Sequence, residues 1–430
     1  MPRAFTGTLS VANTLLTDQH ITNEALMILE NELTFTKQVD RQYSTEFTKA
    51  KRGATVYVRK PPKYVVRDGQ TIAVQDTTQS QVPITLNHQF GVDVEFFSSD
   101  LALSISDFGA DVLQPQIAVI ANAIDLAGLA QYVNVFNSVG TPGTTPGTGA
   151  TAQASLAVYA QAQAYLDKYA APRDKNRATV INEDAQAITV PNLAGLFNPT
   201  DVIGKQYTEG NMGRALGSKF SMDQNVNMLT IGSLAGTPLI NGTITPATGP
   251  QGTALGTITP FTINTKGWTA STKVLNGGEV FTLPLVFGIN PASLQNNGKL
   301  AQFGVVGPVT SDASGNATIT LNQAIILPPS AYATVTALPV TDAALTFVGA
   351  AAVVTPQNMA FHKNAFTLAC VDLPLPGGVH MAARKSDKQL GISMRFVASY
   401  DVVHDLFIGR FDVLCGWASL RPEWAVRIQG

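Results

Sequence analysis

Apolar positions along this chain keep two different rhythms. Between Asn23 and Phe35 they fall at helical spacing, with Leu26, Leu29 and Leu33 on one stripe. Thr22 stands as N-cap, and Ile21 and Leu26 occupy the two hydrophobic-staple positions, so a helix is predicted there. A stripe this narrow needs cover, from its own domain or from a neighbouring subunit. Leu113, Ile117, Ile120, Ile124 and Ala127 repeat at spacings of four and three, with Pro115 in the first turn, where its missing N–H costs little. They predict the longest helix of the chain, about 25 residues and on the order of 35–40 Å, which suits a structural spine. Leu156, Tyr159, Leu166 and Tyr169 mark a further helix closed by Pro172, Ala178–Ile181 reads as a short buried strand, and Asp184–Leu196 as another helix. This alternation indicates a mixed α/β domain with no crossover of the nucleotide-binding kind.

Strand rhythm takes over elsewhere. Ala54–Lys60 alternates and is stopped by Pro61-Pro62; Arg67–Gln70 reads as a turn, Thr71–Val74 as a returning strand, and Val82–Phe97 as a further strand region. The result is a long two-stranded arm. Between Met228 and Gly349 the texture becomes Thr-, Val- and Ile-rich strands such as Glu279–Leu283 and Ala317–Leu321, bracketed by turns at Asn276-Gly277-Gly278 and Asp312–Asn316. That spacing suits a small barrel or sandwich inserted into a host fold.

Charge changes this picture in two places. The segment Met228–Gly349 carries only Lys266, Lys273, Lys299, Glu279, Asp312 and Asp342, and the whole chain is 13% charged against about 25% for an ordinary globular protein. A folded chain this poor in charge either exposes much neutral polar surface or buries surface against partners, and interfaces are expected to be part of the answer. The arm, by contrast, is basic: Lys37, Arg41, Lys49, Lys51, Arg52, Arg59, Lys60, Lys63 and Arg67 face only Asp40 and Glu46 up to Arg67. Such a run either keeps a solvated edge from aggregating or reaches an acidic patch on a neighbour. A formal net charge of −2 argues against a dedicated nucleic-acid binder. Cys370 and Cys415 form no disulfide framework, no run of about 18 apolar residues exists, and the N-terminus has no apolar signal core, so a soluble, unexported chain is expected.

Candidate chemistry is sparse. His20, His88, His362, His380 and His404 are scattered, and no pair sits at a spacing that puts two ligands on one helix face. The acid–histidine cluster Asp401–Asp405 reads as a surface or interface hydrogen-bond network. Gly210–Gly217 lacks the glycine spacing and the Lys-Ser or Lys-Thr of a phosphate loop, and no nucleophile elbow is present. Neither an active site nor a cofactor is expected.

The order of these segments resembles the major capsid (coat) protein of tailed double-stranded DNA bacteriophages, in the short-tailed phage type with an inserted β-barrel. Gly53–Pro61 resembles the opening of the extended loop, Phe96–Asp125 the lead into the spine helix, and Arg410–Glu423 the closing segment, with Gly416 followed five residues later by Arg421-Pro422-Glu423. The resemblance implies an α+β fold: an N-terminal arm and helix (1–36), an extended loop (37–81), a peripheral domain with the spine helix (82–139), the first part of an axial α/β domain (140–227), the inserted β-domain (228–349) and a return segment (350–430). It implies a structural protein, not an enzyme, that self-assembles through hexamers and pentamers into an icosahedral shell around the genome. Its partners would be other copies, a scaffolding protein and a portal protein, with only weak non-specific DNA contact and no membrane. The shell would be built in the bacterial cytoplasm as a procapsid and become part of the virion. Arg52, Arg59, Lys60, Lys63 and Arg67 are the residues expected to pair with a neighbouring copy. Alternatives are a tail or decoration protein, or an encapsulin-like nanocompartment shell.

Overall fold

The computed structural model describes residues 18–44, 46–47, 55–72, 74–75, 77, 79–97, 114–149, 152–193, 213–247, 249, 260–387 and 391–430. The chain divides into two compact units, each assembled from distant stretches: 1–32, 89–121 and 371–414 in one, and 33–88, 122–370 and 415–430 in the other.

In the smaller unit the helix Asp18–Glu32 lies on the antiparallel strands Met381–Asp387 and Ile392–Asp401, burying Ala25, Leu26 and Leu29. Its own sheet therefore covers Leu26 and Leu29 of the apolar stripe. The helix starts before the expected boundary, so Thr22 is an interior residue rather than the N-cap. Ile392–Asp401 pairs in turn with the first half of Leu406–Ser419, where the carboxylate of Asp412 is wholly buried. Arg395 Nη2 (2.5 Å), Arg410 Nη2 (2.6 Å) and Gln89 Nε2 (3.4 Å) donate to it. Burial alone would raise its pKa; the bonds from Arg410 and Arg395 outweigh burial and hold it below the usual carboxylate value.

The larger unit is built on a mixed sheet whose strands run in the order Ser138–Gly140, Ala425–Gln429, Val354–His362, Arg177–Ile181, Ser218–Met222, Arg214–Ala215. The helix Ala152–Lys168 packs on it, with Tyr159, Ala162 and Leu166 meeting Ile181, Phe220, Ala360 and Val426. Arg177–Ile181 and Ser218–Met222 are parallel, and the helix Glu183–Leu193 lies between them in sequence. A crossover is thus present, without a glycine-rich turn after its first strand. Within the former glycine-rich candidate, Leu216 (φ 51) and Gly217 (φ 80) form the two-residue turn between Arg214–Ala215 and Ser218–Met222, a hairpin that needs two left-handed residues. Gly210–Met212 lie outside the described residues.

The predicted spine appears as the helix Gln114–Leu129 continued by a 3₁₀ stretch Ala130–Asn134, together about 34 Å long. By length and apolar composition this stretch could cross a membrane, and the burial of Ile117, Ile120, Ala121, Ile124 and Leu129 explains its composition as that of a core helix. Gly128 is required on it, because an added Cβ would lie 2.6 Å from Trp417 and 2.8 Å from Phe35. Three backbone N–H groups, of Thr34 (2.7 Å), Phe35 (3.2 Å) and Thr36 (3.0 Å), donate to the carboxylate of Asp125, as does the Thr36 hydroxyl. Burial, reinforced by the neighbouring Asp223, pushes the Asp125 pKa up to about 6.

Between Met228–Thr230 and Val354–His362 the chain makes a β-rich body with its own core. Ile240, Ile263, Trp268, Phe281, Leu283, Phe303, Ile319 and Leu321 fill the space among three small sheets. Its entrance and exit are neighbours, since Thr230 pairs with Val354 and Met228 with Pro356. An insertion with adjacent ends leaves the host sheet continuous. Glu279, 2% exposed, binds the junction by accepting the N–H groups of Gly232 (3.0 Å), Asn276 (2.7 Å) and Gly277 (2.8 Å). At the outer strand Ser138–Gly140, the Gln302 side chain takes the N–H of Ser138 at 2.6 Å and donates to its carbonyl at 2.9 Å, standing in for a missing strand. Cys370 and Cys415 are free and buried.

Candidate assembly surfaces

The basic arm begins as a two-stranded ladder. Thr55–Arg59 runs antiparallel to Gln81–Thr85, from Thr55 opposite Thr85 to Arg59 opposite Gln81. The returning strand is therefore ten residues later than Thr71–Val74. Pro61 and Pro62 offer no N–H, so the ladder closes with Lys60 N–H on the Ser80 carbonyl at 2.8 Å. Farther out, the Gln75 carboxamide bridges the two sides: it accepts from Val65 N–H at 2.8 Å and donates to Val65 carbonyl at 2.6 Å. Tyr64 and Thr77 hydroxyls meet at 3.0 Å beside it. The tip turns at Gly69, where φ is 114°.

The expected contact residues take different places on this arm. Arg52 lies outside the described residues. Arg59 is exposed, and among the described residues its side chain has no bonded partner. Lys60 is half-buried at the arm's base. Lys63 is held by its own subunit: its N–H donates to the Tyr332 hydroxyl at 3.1 Å and its ammonium lies 5.9 Å from that ring. Desolvation lowers the Lys63 pKa, with Glu423 opposing and Lys60 and Arg421 adding to the shift. Arg67 folds back on the carbonyls of Gly69 and Thr71, the latter at 2.7 Å. Lys60, Lys63 and Arg421 share a hollow of about 300 Å³ with Tyr169, Tyr332 and Glu423.

The feature that charge counting misses is apolar. Val66, Ile72 and Val74 near the tip are 92%, 79% and 89% exposed, and Tyr64 is 55% exposed. These uncovered aliphatic side chains make an exposed apolar patch on the arm. Their alternation with polar neighbours was visible in the sequence, but it reads equally well as a strand with a buried face.

Elsewhere, His404 Nδ1 meets Asp401 at 2.7 Å on an exposed turn, as the surface-network reading expects. Among the described residues no group of three His, Cys, Asp or Glu side chains could hold a metal ion.

The model of a family described as "P22 coat protein - gene protein 5" matches residues 11–430. The chain belongs to the P22 coat protein family. As a coat protein it is a structural, major capsid component of a bacteriophage virion, and copies of it assemble into the icosahedral shell. This replaces the tail, decoration and nanocompartment alternatives. Among solved structures, the coat protein is similar to a chain of Mycobacterium phage Che8 (12% identity, 92% of this chain and 90% of that one, TM-score 0.46). It is also similar to one from the capsid of the cyanophage P-SCSP1u (10%, 88% and 83%, 0.41) and one from the capsid of Myoviridae phage XM1 (8%, 94% and 92%, 0.38). No curated protein sequence matches it.

Proposed function

We propose that copies of this coat protein interlock through the arm, with Val66, Ile72 and Val74 near its tip covered by a neighbouring subunit and Arg59, at its base, leading the ion pairs. Lys60, Lys63 and Arg67 add positive charge to the arm, and Arg52, which precedes it in sequence, adds to the same pairing. The near-complete exposure of the three aliphatic residues carries this reading, because burying each would contribute roughly 1.5–3 kcal/mol. Many such contacts, each modest, hold a closed shell in which every subunit touches several others. In this reading residues 37–81 form the extended loop, 82–139 the peripheral part, 140–227 with 350–430 the axial part, and 228–349 the inserted domain. Assembly proceeds in the host cytoplasm on a scaffolding protein, with a portal at one vertex, and the procapsid expands as DNA enters. The protein catalyses no step of this.

Arg59→Glu/Lys60→Glu and, separately, Val74→Asp test the reading. Each should lower the yield of closed particles in electron micrographs while circular dichroism of the subunit stays unchanged. Normal particle yields from both would overturn it.

A further inference from the structure

A second charged site lies at the opposite kind of location, on the free edge of the large sheet. The helix Ala152–Lys168 ends where Ala170 turns left-handed (φ 56), and the chain then passes Arg173 and Lys175 before entering Arg177–Ile181. The edge hairpin brings Arg214, Leu216 and Gly217 to the same place. Arg173, Lys175, Arg177 and Arg214 together line a hollow of about 290 Å³. Lys219 stands directly opposite Arg214 in the hairpin register. Like charges facing each other across two strands are destabilising, and the hairpin 214–222 carries no acidic residue to neutralise this pair.

Carboxylates only partly balance the cluster. Asp167 accepts from Arg173 Nε (2.8 Å) and Nη2 and from Arg177 Nη2 (2.8 Å). Asp174 is committed to His362 Nε2 at 3.0 Å and to Asn176. Four cations thus line the hollow against these two acids. Arg177, 3% exposed, is fixed by the carbonyls of Pro172 and Ala171 and by Gln163, so its charge is locked in place beneath the hollow. Arg214 uses Nη2 on the carbonyls of Lys175 and Gly217. That leaves Arg214 Nε and Nη1, Arg173 Nη1 and the Lys175 ammonium as donors without a bonded partner among the described residues.

We propose that this hollow is a phosphate site, which takes the backbone phosphodiesters of the enclosed DNA or free phosphate through Arg214, Arg173 and Lys175. Rigid guanidinium donors over a locked positive charge suit the tetrahedral oxygens of a phosphoryl group. The proposal rests on the coat-protein role for the presence of DNA, and its test is independent of shell formation.

The test uses the full-length chain and compares wild type with Lys175→Asn/Arg214→Gln; asparagine tolerates the left-handed backbone of Lys175 (φ 69). A control, Lys273→Asn/Lys299→Asn, removes the same charge from exposed positions in the inserted body. Binding of a short DNA duplex is measured as a function of salt, and binding of inorganic phosphate by calorimetry. The expected result is a salt slope reduced by about 2 in the first variant and unchanged in the control, since each phosphate contact contributes about 0.9. Loss of phosphate binding in the first variant, with DNA binding untouched, would assign the site to free phosphate and overturn the DNA source. Unchanged binding of both probes, or an equal fall in the control, would overturn the site altogether. Failure of that variant to form particles while both probes still bind would do the same, and would point to an acidic group of a neighbouring copy.

Discussion

Two glutamines do the work of a strand in this protein. A carboxamide presents an acceptor and a donor much as a peptide group does, and both Gln302 and Gln75 use the pair on one residue of a chain edge. Their worth differs because their surroundings differ. Gln302 is 8% exposed and serves the buried Ser138, so Gln302→Ala leaves two buried backbone groups unpaired. It should cost about 2–4 kcal/mol in urea unfolding. Gln75→Ala, in an exposed arm where water can replace the side chain, should cost under about 1 kcal/mol in the same experiment. Equal effects would mean that burial is not what gives the Gln302 bond its strength. Neither role is legible in the sequence, for Gln302 and Ser138 are 164 positions apart.

At the scale of elements, periodicity was informative where an element's own face decides its fate. Ile117, Ile120 and Ile124 are buried as their spacing demands, and Pro172 and the run Ala178–Ile181 fall where expected. Pairing was not informative, because a partner is chosen by the rest of the fold. The arm strand finds Gln81–Thr85 instead of Thr71–Val74, and Lys63 is tied to Tyr332, 269 positions away, which no local pattern announces. Elements also set how each unit responds to pH. Asp412, held below its ordinary pKa of 3.8, contributes stability that is present above that value and is lost as pH falls through its lowered pKa. Asp125, raised to about 6, behaves oppositely: its contribution is full below 3.8 and is lost as pH rises through about 6. Hydrogen exchange at the Thr34, Phe35 and Thr36 amides should therefore show protection falling from about pH 4 to about pH 7, beyond the intrinsic rate change. Asp125→Asn should flatten that profile; an unchanged profile would mean that Asp125 is not the titrating group.

For the whole molecule, linear segmentation along the sequence differs from the two compact units, each of which gathers three separate stretches. The inserted β-rich body is tied to its host by Gln302, which bonds Ser138, and by Arg427, whose buried guanidinium reaches the Gly278 carbonyl at 2.5 Å. Replacing Gly236–Leu338 with a short linker should accordingly give aggregated chain, seen by size-exclusion chromatography. Folded subunits that fail only to assemble would place the body's role in contacts between copies.

The two borders of the large sheet have one more consequence. One border is a three-residue strand closed by a side-chain amide, and the other is a two-residue strand bearing Arg214 beside Lys219. Neither offers a length of free backbone onto which a second sheet could zip, so strand-by-strand stacking into fibrils is blocked at both ends. A protein packed against many of its own copies is thereby steered toward contacts that close on themselves, and away from the open-ended polymer that crowded β-structure otherwise favours.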